Sequence, residues 1–119
     1  MKVIQKSFEL SKIDYYKFHF RLVDAIFSAG MTDKEMDILS CFLSLPESVT
    51  KINLFNSEAR KEVSEILGMS DSGISNHLKN MKAKGFLKRE ADILVVIPGL
   101  LPAENMQGYN FKIKMKDES

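Results

Sequence analysis

The sequence predicts a mainly α-helical domain that carries a small β-sheet, which is the α+β class. Three observations predict it. Apolar residues recur at helical spacing in four segments, short segments after residue 85 alternate apolar and polar side chains, and N-capping residues and glycines mark the helix boundaries. The chain has 119 residues and is 45% hydrophobic, with eight Phe and seven Met. This size and composition indicate one folded domain with its own core.

The first helix is predicted over about residues 12 to 28. Ser11 and Asp14 form a candidate capping box before it, and Gly30 is expected to stop it. Its apolar stripe is wider than one layer of packing requires, so it is either a central core helix or a helix that also meets a second subunit. Residues 1–30 are therefore assigned to an N-terminal arm and helix used for packing or dimerisation, with dimerisation candidates Tyr15, Phe18, Leu22 and Ile26.

Two further helices precede the most informative segment. Thr32 and Glu35 make a capping box for a helix over about residues 33 to 45, which Pro46 ends. Residues 46 to 57 are a connection, with an extended piece considered at residues 51 to 55. A third helix is predicted over about residues 58 to 67, with Gly68 at its end.

The fourth helix is predicted over residues 71 to 84, with Ser70 as N-cap and Gly85 as a left-handed C-terminal residue. The spacing of Ile74, Leu78 and Met81 marks them as the buried face. At about 100° per residue, the opposite face carries small polar and basic side chains. These are Ser72, Asn76 and Lys79, flanked by Ser75 and Asn80.

Alternating apolar residues predict strands in the last third of the chain. Residues 86–90 and 93–97 read as a hairpin that turns at residues 90–92, and residues 109–115 read as a half-buried strand. The loop at residues 98–108 is assigned to packing or to a partner. Residues 31–116 thus form the main domain, and residues 117–119 form a polar tail.

Two short helices joined by a tight turn and followed by a hairpin make the winged helix-turn-helix plan, here with an extra N-terminal helix. Residues 66–89 resemble the corresponding part of MarR-like and related winged-helix regulators. Residues 97–102 (IPGLLP) also resemble small winged-helix proteins of phages and plasmids. The positions that carry the first resemblance are Ile66, Leu67, Gly68, Ser70, Ile74, Ser75, Leu78 and the run GFLKR at 85–89.

The resemblance implies a transcriptional regulator that places helix 71–84 in the major groove of double-stranded DNA, with a homodimer as the expected assembly. Asparagine can bond adenine, whereas serine and lysine suit phosphates or guanine edges. An alternative is a winged-helix protein-interaction or assembly component of a phage replication, packaging or virion machine. The expected DNA-binding residues are Ser70, Ser72, Ser75, Asn76, Lys79, Asn80, Lys82, Lys88 and Arg89.

The distribution of charge favours the DNA-binding interpretation. The chain as a whole carries a net charge of +1, from 17 basic and 16 acidic residues. Residues 74–89 contain five basic residues and no acidic one, whereas residues 31–50 contain one lysine against four acidic residues. The acidic tip of the predicted hairpin, at Glu90 and Asp92, favours the alternative, because a wing that inserts into a groove usually carries Arg or Lys.

No enzyme signature, metal site or cofactor motif is found. The chain lacks phosphate-loop, dinucleotide and HExxH motifs, and Ser75 and His77 are two positions apart on a helix, so they do not face each other. His77 is expected to pack half-buried, and Cys41, the single cysteine, is expected in the core. We therefore expect no catalytic residue and no small-molecule ligand.

The sequence also predicts no association with a membrane. The N-terminus lacks the apolar stretch of a signal peptide, and the longest uncharged apolar stretch, residues 93–103, is far shorter than the ~20 residues that span a bilayer. The expected location is the cytoplasm of a bacterial cell, or of the host cell if the chain is phage-encoded.

Overall fold

The computed structural model describes residues 9–102 and Met115. Within this part of the chain, five helices accompany a two-stranded antiparallel sheet, so the predicted α+β class is confirmed. Every helix there is too short or too polar to cross a lipid bilayer. The elements are α1 (Lys12–Phe27), α2 (Asp33–Ser44), α3 (Glu47–Thr50), α4 (Ser57–Leu67), α5 (Asp71–Ala83), β1 (Leu87–Glu90), β2 (Ile93–Val96) and a 3-10 turn (Pro98–Leu100).

One apolar core joins the four longer helices to the hairpin. The N-terminal helix α1 contributes Phe20 and packs along α2, so it shares this core. Cys41 is buried as predicted, and burial raises the pKa of its thiol. The other fully buried side chains of the core include Ile38, Leu39, Phe42, Ala59, Val63, Ile74 and Met81.

The end of α1 differs from the prediction that Gly30 stops it. The helix ends at Phe27, and Ser28 already takes the left-handed conformation at φ 50°. The Asp24 carboxylate then accepts hydrogen bonds from the backbone N–H groups of Gly30 and Met31, at 2.9 and 3.0 Å. Ser28 therefore ends the helix two residues before Gly30, and the Asp24 carboxylate holds the turn that leads to α2.

The connection after α2 also differs from the prediction, because it contains a helical turn and no strand at residues 51–55. The backbone N–H groups of Val49 and Thr50 both bond to the carbonyl of Pro46 and form α3. The side chain of Asn56 donates to the carbonyls of Val49 and Asn53. These bonds occupy backbone groups that a paired strand would need.

The segment from α4 to β2 follows the predicted order. Gly85 follows α5 at φ +86°, so the predicted left-handed glycine is confirmed, and Gly68 ends α4 as predicted, at φ +64°. The predicted ends are one residue too long for α2 and α5 and for both strands. In α5 the reason is that the N–H groups of Gly85 and Phe86 bond back to the carbonyls of Lys82 and Met81, which closes the helix.

Several predictions fall outside the described residues. These are most of the N-terminal arm that precedes the helix at residue 12, nearly all of the strand at residues 109–115, the loop beyond residue 102 and the tail at 117–119. The described start of that loop packs on the core, because Leu100 is buried and its carbonyl oxygen lies 2.8 Å from Nε2 of His19. Burial of His19 lowers its pKa, and the bond to Leu100 opposes this change in part.

Candidate nucleic-acid interface

Helix α5 presents the predicted polar face to solvent. Ile74, Leu78 and Met81 are buried against the core, which fixes the rotation of the helix. The polar side chains that the sequence placed opposite them are all exposed. They are Ser72, Ser75, Asn76, Lys79 and Asn80, and the predicted DNA contact Lys82, near the end of the helix, is exposed as well.

The three-residue turn before α5 is held by its capping serine. Ser70 Oγ accepts a hydrogen bond from the backbone N–H of Gly73 at 3.1 Å and lies 3.2 Å from Ser72 Oγ. A Cβ atom at Gly73 would lie 3.2 Å from the same oxygen, so glycine leaves room for the cap. Ser70 therefore positions the start of α5, and the exposed residues after it form the outer face.

Two of the five basic residues in the segment 74–89 are neutralised by nearby carboxylates. Lys84 Nζ lies 2.7 Å from Glu35 Oε1, and Lys88 Nζ lies 3.6 Å from Glu90 Oε2. Within the described part of the chain, Lys79, Lys82 and Arg89 have no carboxylate within 4.0 Å. The positive charge of this region is thus smaller than the sequence count, and on α5 itself it is concentrated at Lys79 and Lys82.

The ion pair of Lys84 fixes α5 against the start of α2. Glu35 is 2% exposed, and its Oε1 also accepts from the backbone N–H of Thr32 at 2.9 Å, which completes the predicted capping box. Burial alone would raise the pKa of Glu35, but the bonds from Lys84 and Thr32 and the charge of Lys84 outweigh it and lower the pKa. Glu35 is therefore a buried carboxylate held in its charged form.

The strand β1 separates Lys88 from Arg89. Successive side chains of a strand point to opposite faces, so Arg89 shares the side of the buried Leu87, and Lys88 shares the side of Glu90. Arg89 lines a cleft with Arg60 of α4, whereas Lys88 lines a more apolar groove with residues of the α3–α4 connection. Lys88 and Arg89, both predicted DNA contacts, therefore face opposite sides of the hairpin and cannot contact one DNA surface in the same way.

The hairpin turn carries the acidic tip that the sequence predicted. β1 and β2 pair in register from Leu87–Val96 to Glu90–Ile93. Ala91 and Asp92 make the two-residue turn, both with positive φ, at 50° and 63°. Glu90 and Asp92 are exposed, so the tip presents negative charge to solvent.

The outer side of α1 leaves large apolar side chains accessible. Among the dimerisation candidates, Phe18 is 46% and Ile26 is 53% exposed, whereas Tyr15 and Leu22 are half-buried. Phe27, at the end of the helix, is 74% exposed. The structure thus places part of the predicted stripe at the surface.

Two further findings concern catalysis and metal binding. Over residues 9–102, no three His, Cys, Asp or Glu side chains lie close enough together to hold a metal ion. His77 is half-buried beside Thr32 and Asn80, and no hydrogen bond joins it to Ser75 in this range.

Arg60 is the residue near this surface that the sequence did not single out. It lies in the first turns of α4, where no local pattern of the sequence marks it. Its Nε donates to the carbonyl of Phe55 at 2.9 Å, and it lines the cleft shared with Arg89.

No protein-family model, curated protein or solved structure matches this chain.

Proposed function

We propose that this chain is a DNA-binding protein, a transcriptional regulator rather than an enzyme, that reads duplex DNA with α5 in the major groove. The observation that carries the proposal is the outer face of α5. It presents Asn76 and Lys79 together, flanked by exposed serines and a second asparagine. Asparagine can donate to and accept from adenine, and lysine can bind a phosphate or guanine.

The order of the elements supports a winged helix-turn-helix with an extra N-terminal helix. In this assignment α2, α4 and α5 are the three helices of the domain, residues 68–70 are the turn, and the β1–β2 hairpin is the wing. The helix α1 then precedes the domain and packs on α2. The acidic tip argues that the hairpin contacts DNA through its flank and not by inserting its tip into a groove.

A homodimer formed through α1 would suit this function, because two recognition helices on one two-fold axis read two half-sites. The exposed Ile26 and Phe27 support α1 as the contact surface. Light scattering on purified protein gives the mass in solution, and a monomer at all concentrations would contradict the dimer.

Binding to duplex DNA tests the proposed function directly. Sequences enriched from a random duplex pool are measured by fluorescence anisotropy with the wild-type chain, Asn76→Ala and Lys79→Ala. We expect Asn76→Ala to lose about 1–3 kcal/mol on the enriched sequence and little on unrelated duplexes. Lys79→Ala should weaken binding to all duplexes and reduce the salt dependence by about one phosphate contact.

The matched control is Lys61→Ala, which removes one exposed lysine from α4. It should leave both the affinity for the enriched sequence and the preference for that sequence close to wild type. Equal binding by wild type, Asn76→Ala and Lys79→Ala would show that α5 is not the reading helix. No enrichment from the pool, with no binding at low salt, would contradict DNA binding as the function.

The second candidate is a winged-helix assembly component that binds other proteins. The acidic hairpin tip favours it, because Glu90 and Asp92 repel phosphate. The neutralisation of Lys84 and Lys88 by carboxylates also favours it. A DNA-binding protein loses affinity steeply as salt rises, whereas an assembly component shows no duplex affinity to lose.

A further inference from the structure

A polar cleft of about 310 Å³ lies between the start of α4 and the hairpin. Two arginines line it, Arg60 from α4 and Arg89 from β1, and Asp92 is its one acidic lining residue. The polar residues Asn53, Asn56 and Ser57 also line it. The cleft therefore carries a net positive charge and separates two elements that are far apart in sequence.

The guanidinium group of Arg60 is held in place by the core. Phe55 is buried, and its ring packs edge-on against Phe42 with centroids 4.8 Å apart. The Phe55 carbonyl accepts from Arg60 Nε at 2.9 Å. Within residues 9–102, no carboxylate lies within 4.0 Å of this partly buried cation, and its two terminal nitrogens have no acceptor.

Arg89 reaches the same cleft because of its position in β1. It lies on the side of the strand that faces the helices, opposite Leu94 of β2. Its Nη1 contacts the Asp92 carbonyl at 3.5 Å, a long hydrogen bond that a charged ligand can displace. The carboxylate of Asp92 is more than 4.0 Å away, so this arginine also lacks an ionic partner in the described chain.

From these observations we infer that the Arg60–Arg89 cleft binds a phosphate group. Guanidinium groups bind oxyanions through paired, charge-assisted hydrogen bonds, and two of them on different walls suit an anion with oxygens on several sides. The phosphate can come from the DNA backbone, which deepens the proposed function and rests on it. It can also come from a free phosphorylated molecule, which does not.

Two measurements test the site and distinguish these sources. The first is a titration of the ¹⁵N-labelled chain with inorganic phosphate, with sodium chloride at equal ionic strength as the reference. Amide signals of residues 56–60 and 89–92 should shift and saturate with phosphate only. Arg60→Gln and Arg89→Gln should each abolish the saturation, and Lys61→Gln, an exposed neighbour on α4, should leave it unchanged.

The second measurement is the slope of log K for duplex DNA against log salt concentration. If the backbone supplies the phosphate, Arg60→Gln should reduce this slope by about 0.9, and Lys61→Gln should not change it. Thermal unfolding of each variant verifies that it is folded, and Arg89→Gln tests the site independently if Arg60→Gln is destabilised.

The outcomes separate cleanly. A changed DNA slope, with or without saturation by inorganic phosphate, supports the site and assigns it to the DNA backbone. Saturation by phosphate with an unchanged slope supports the site and assigns it to a free phosphorylated molecule. If the wild-type chain binds no DNA, the proposed function fails while the titration still decides the site. No saturation together with an unchanged slope overturns the inference.

Discussion

Lys84 lies just after α5, but its ammonium group bonds to atoms at the start of α2. It donates to Glu35 Oε1 at 2.7 Å and to the Gly30 carbonyl at 3.2 Å. From the sequence alone, Lys84 is one of the five basic residues in the segment 74–89. Nothing near it in the sequence shows that Glu35, 49 positions away, supplies a buried carboxylate. A single residue can thus belong to a charged segment and still serve packing.

Loss of Lys84 should destabilise the fold more than loss of a lysine on the outer face of α5. Lys84→Met leaves the Glu35 carboxylate buried without its cation, so we expect a loss of about 1–3 kcal/mol in the free energy of unfolding. Lys79→Met should change it by less than about 0.5 kcal/mol. Urea denaturation at pH 7 measures both values.

Glu35→Gln in the Lys84→Met background provides the control, because the buried charge is then removed. This double variant should recover part of the lost stability, and the cycle gives the coupling energy of the pair. Equal stability of Lys84→Met and Lys79→Met would contradict the assigned role of the ion pair.

At the scale of elements, the sequence located the four longer helices to within one residue at each end. Capping serines, a capping box and two left-handed glycines are local signals, and they decide where a helix begins and ends. It missed α3 and the left-handed Ser28. Side chains several positions away bond to the backbone beside both features, from Asn56 at the end of α3 and from Asp24 after Ser28, and a local pattern does not reveal such bonds.

Both the end of α5 and the hairpin turn have a left-handed residue that favours glycine, so Gly85→Ala and Ala91→Gly should change stability in opposite directions. Gly85 has φ +86°, so Gly85→Ala should lower the free energy of unfolding by about 1–2 kcal/mol through backbone strain alone, because no atom lies within 4 Å of the added Cβ. Ala91 has φ 50°, so Ala91→Gly should raise it by up to about 1 kcal/mol. Thermal unfolding measures both. A change of the same sign in the two variants would contradict the assigned turn conformations.

At the scale of the whole molecule, long-range contacts determine what the surface offers. The sequence placed the outer face of α5 correctly, because periodicity alone fixes which side of a helix is apolar. It could not predict that Arg60 and Arg89 meet in one cleft, or that His19 contacts the carbonyl of Leu100, 81 positions away. These pairings depend on how α1, α4 and the hairpin pack together.

The burial of His19 predicts a pH dependence of global stability. Burial lowers the pKa of His19 below its ordinary 6.5, so the unfolded chain binds more protons than the folded chain near and below that pH. The stabilising contribution is therefore complete above pH 6.5 and is lost as the pH falls toward the pKa of the folded chain. Carboxylates such as Glu35, with an ordinary value of 4.5, affect stability at lower pH.

Urea midpoints between pH 5 and pH 8 measure this dependence. In His19→Gln the fall in stability between pH 7 and pH 5 should be smaller than in the wild-type chain. His77→Gln is measured in the same way, so that the contributions of the two histidines are separated. Identical pH profiles for His19→Gln and the wild-type chain would show that His19 does not cause the effect.

The buried carboxylate of Glu35 also restricts how this sequence can evolve. Replacing Lys84 alone leaves the buried Glu35 carboxylate without its cation, whereas replacing both residues with a well-packed apolar pair can leave the stability unchanged. No such constraint applies to Asn76 and Lys79, because their side chains face solvent. In a lineage of such proteins, positions 35 and 84 should therefore change together, while positions 76 and 79 can change independently of each other.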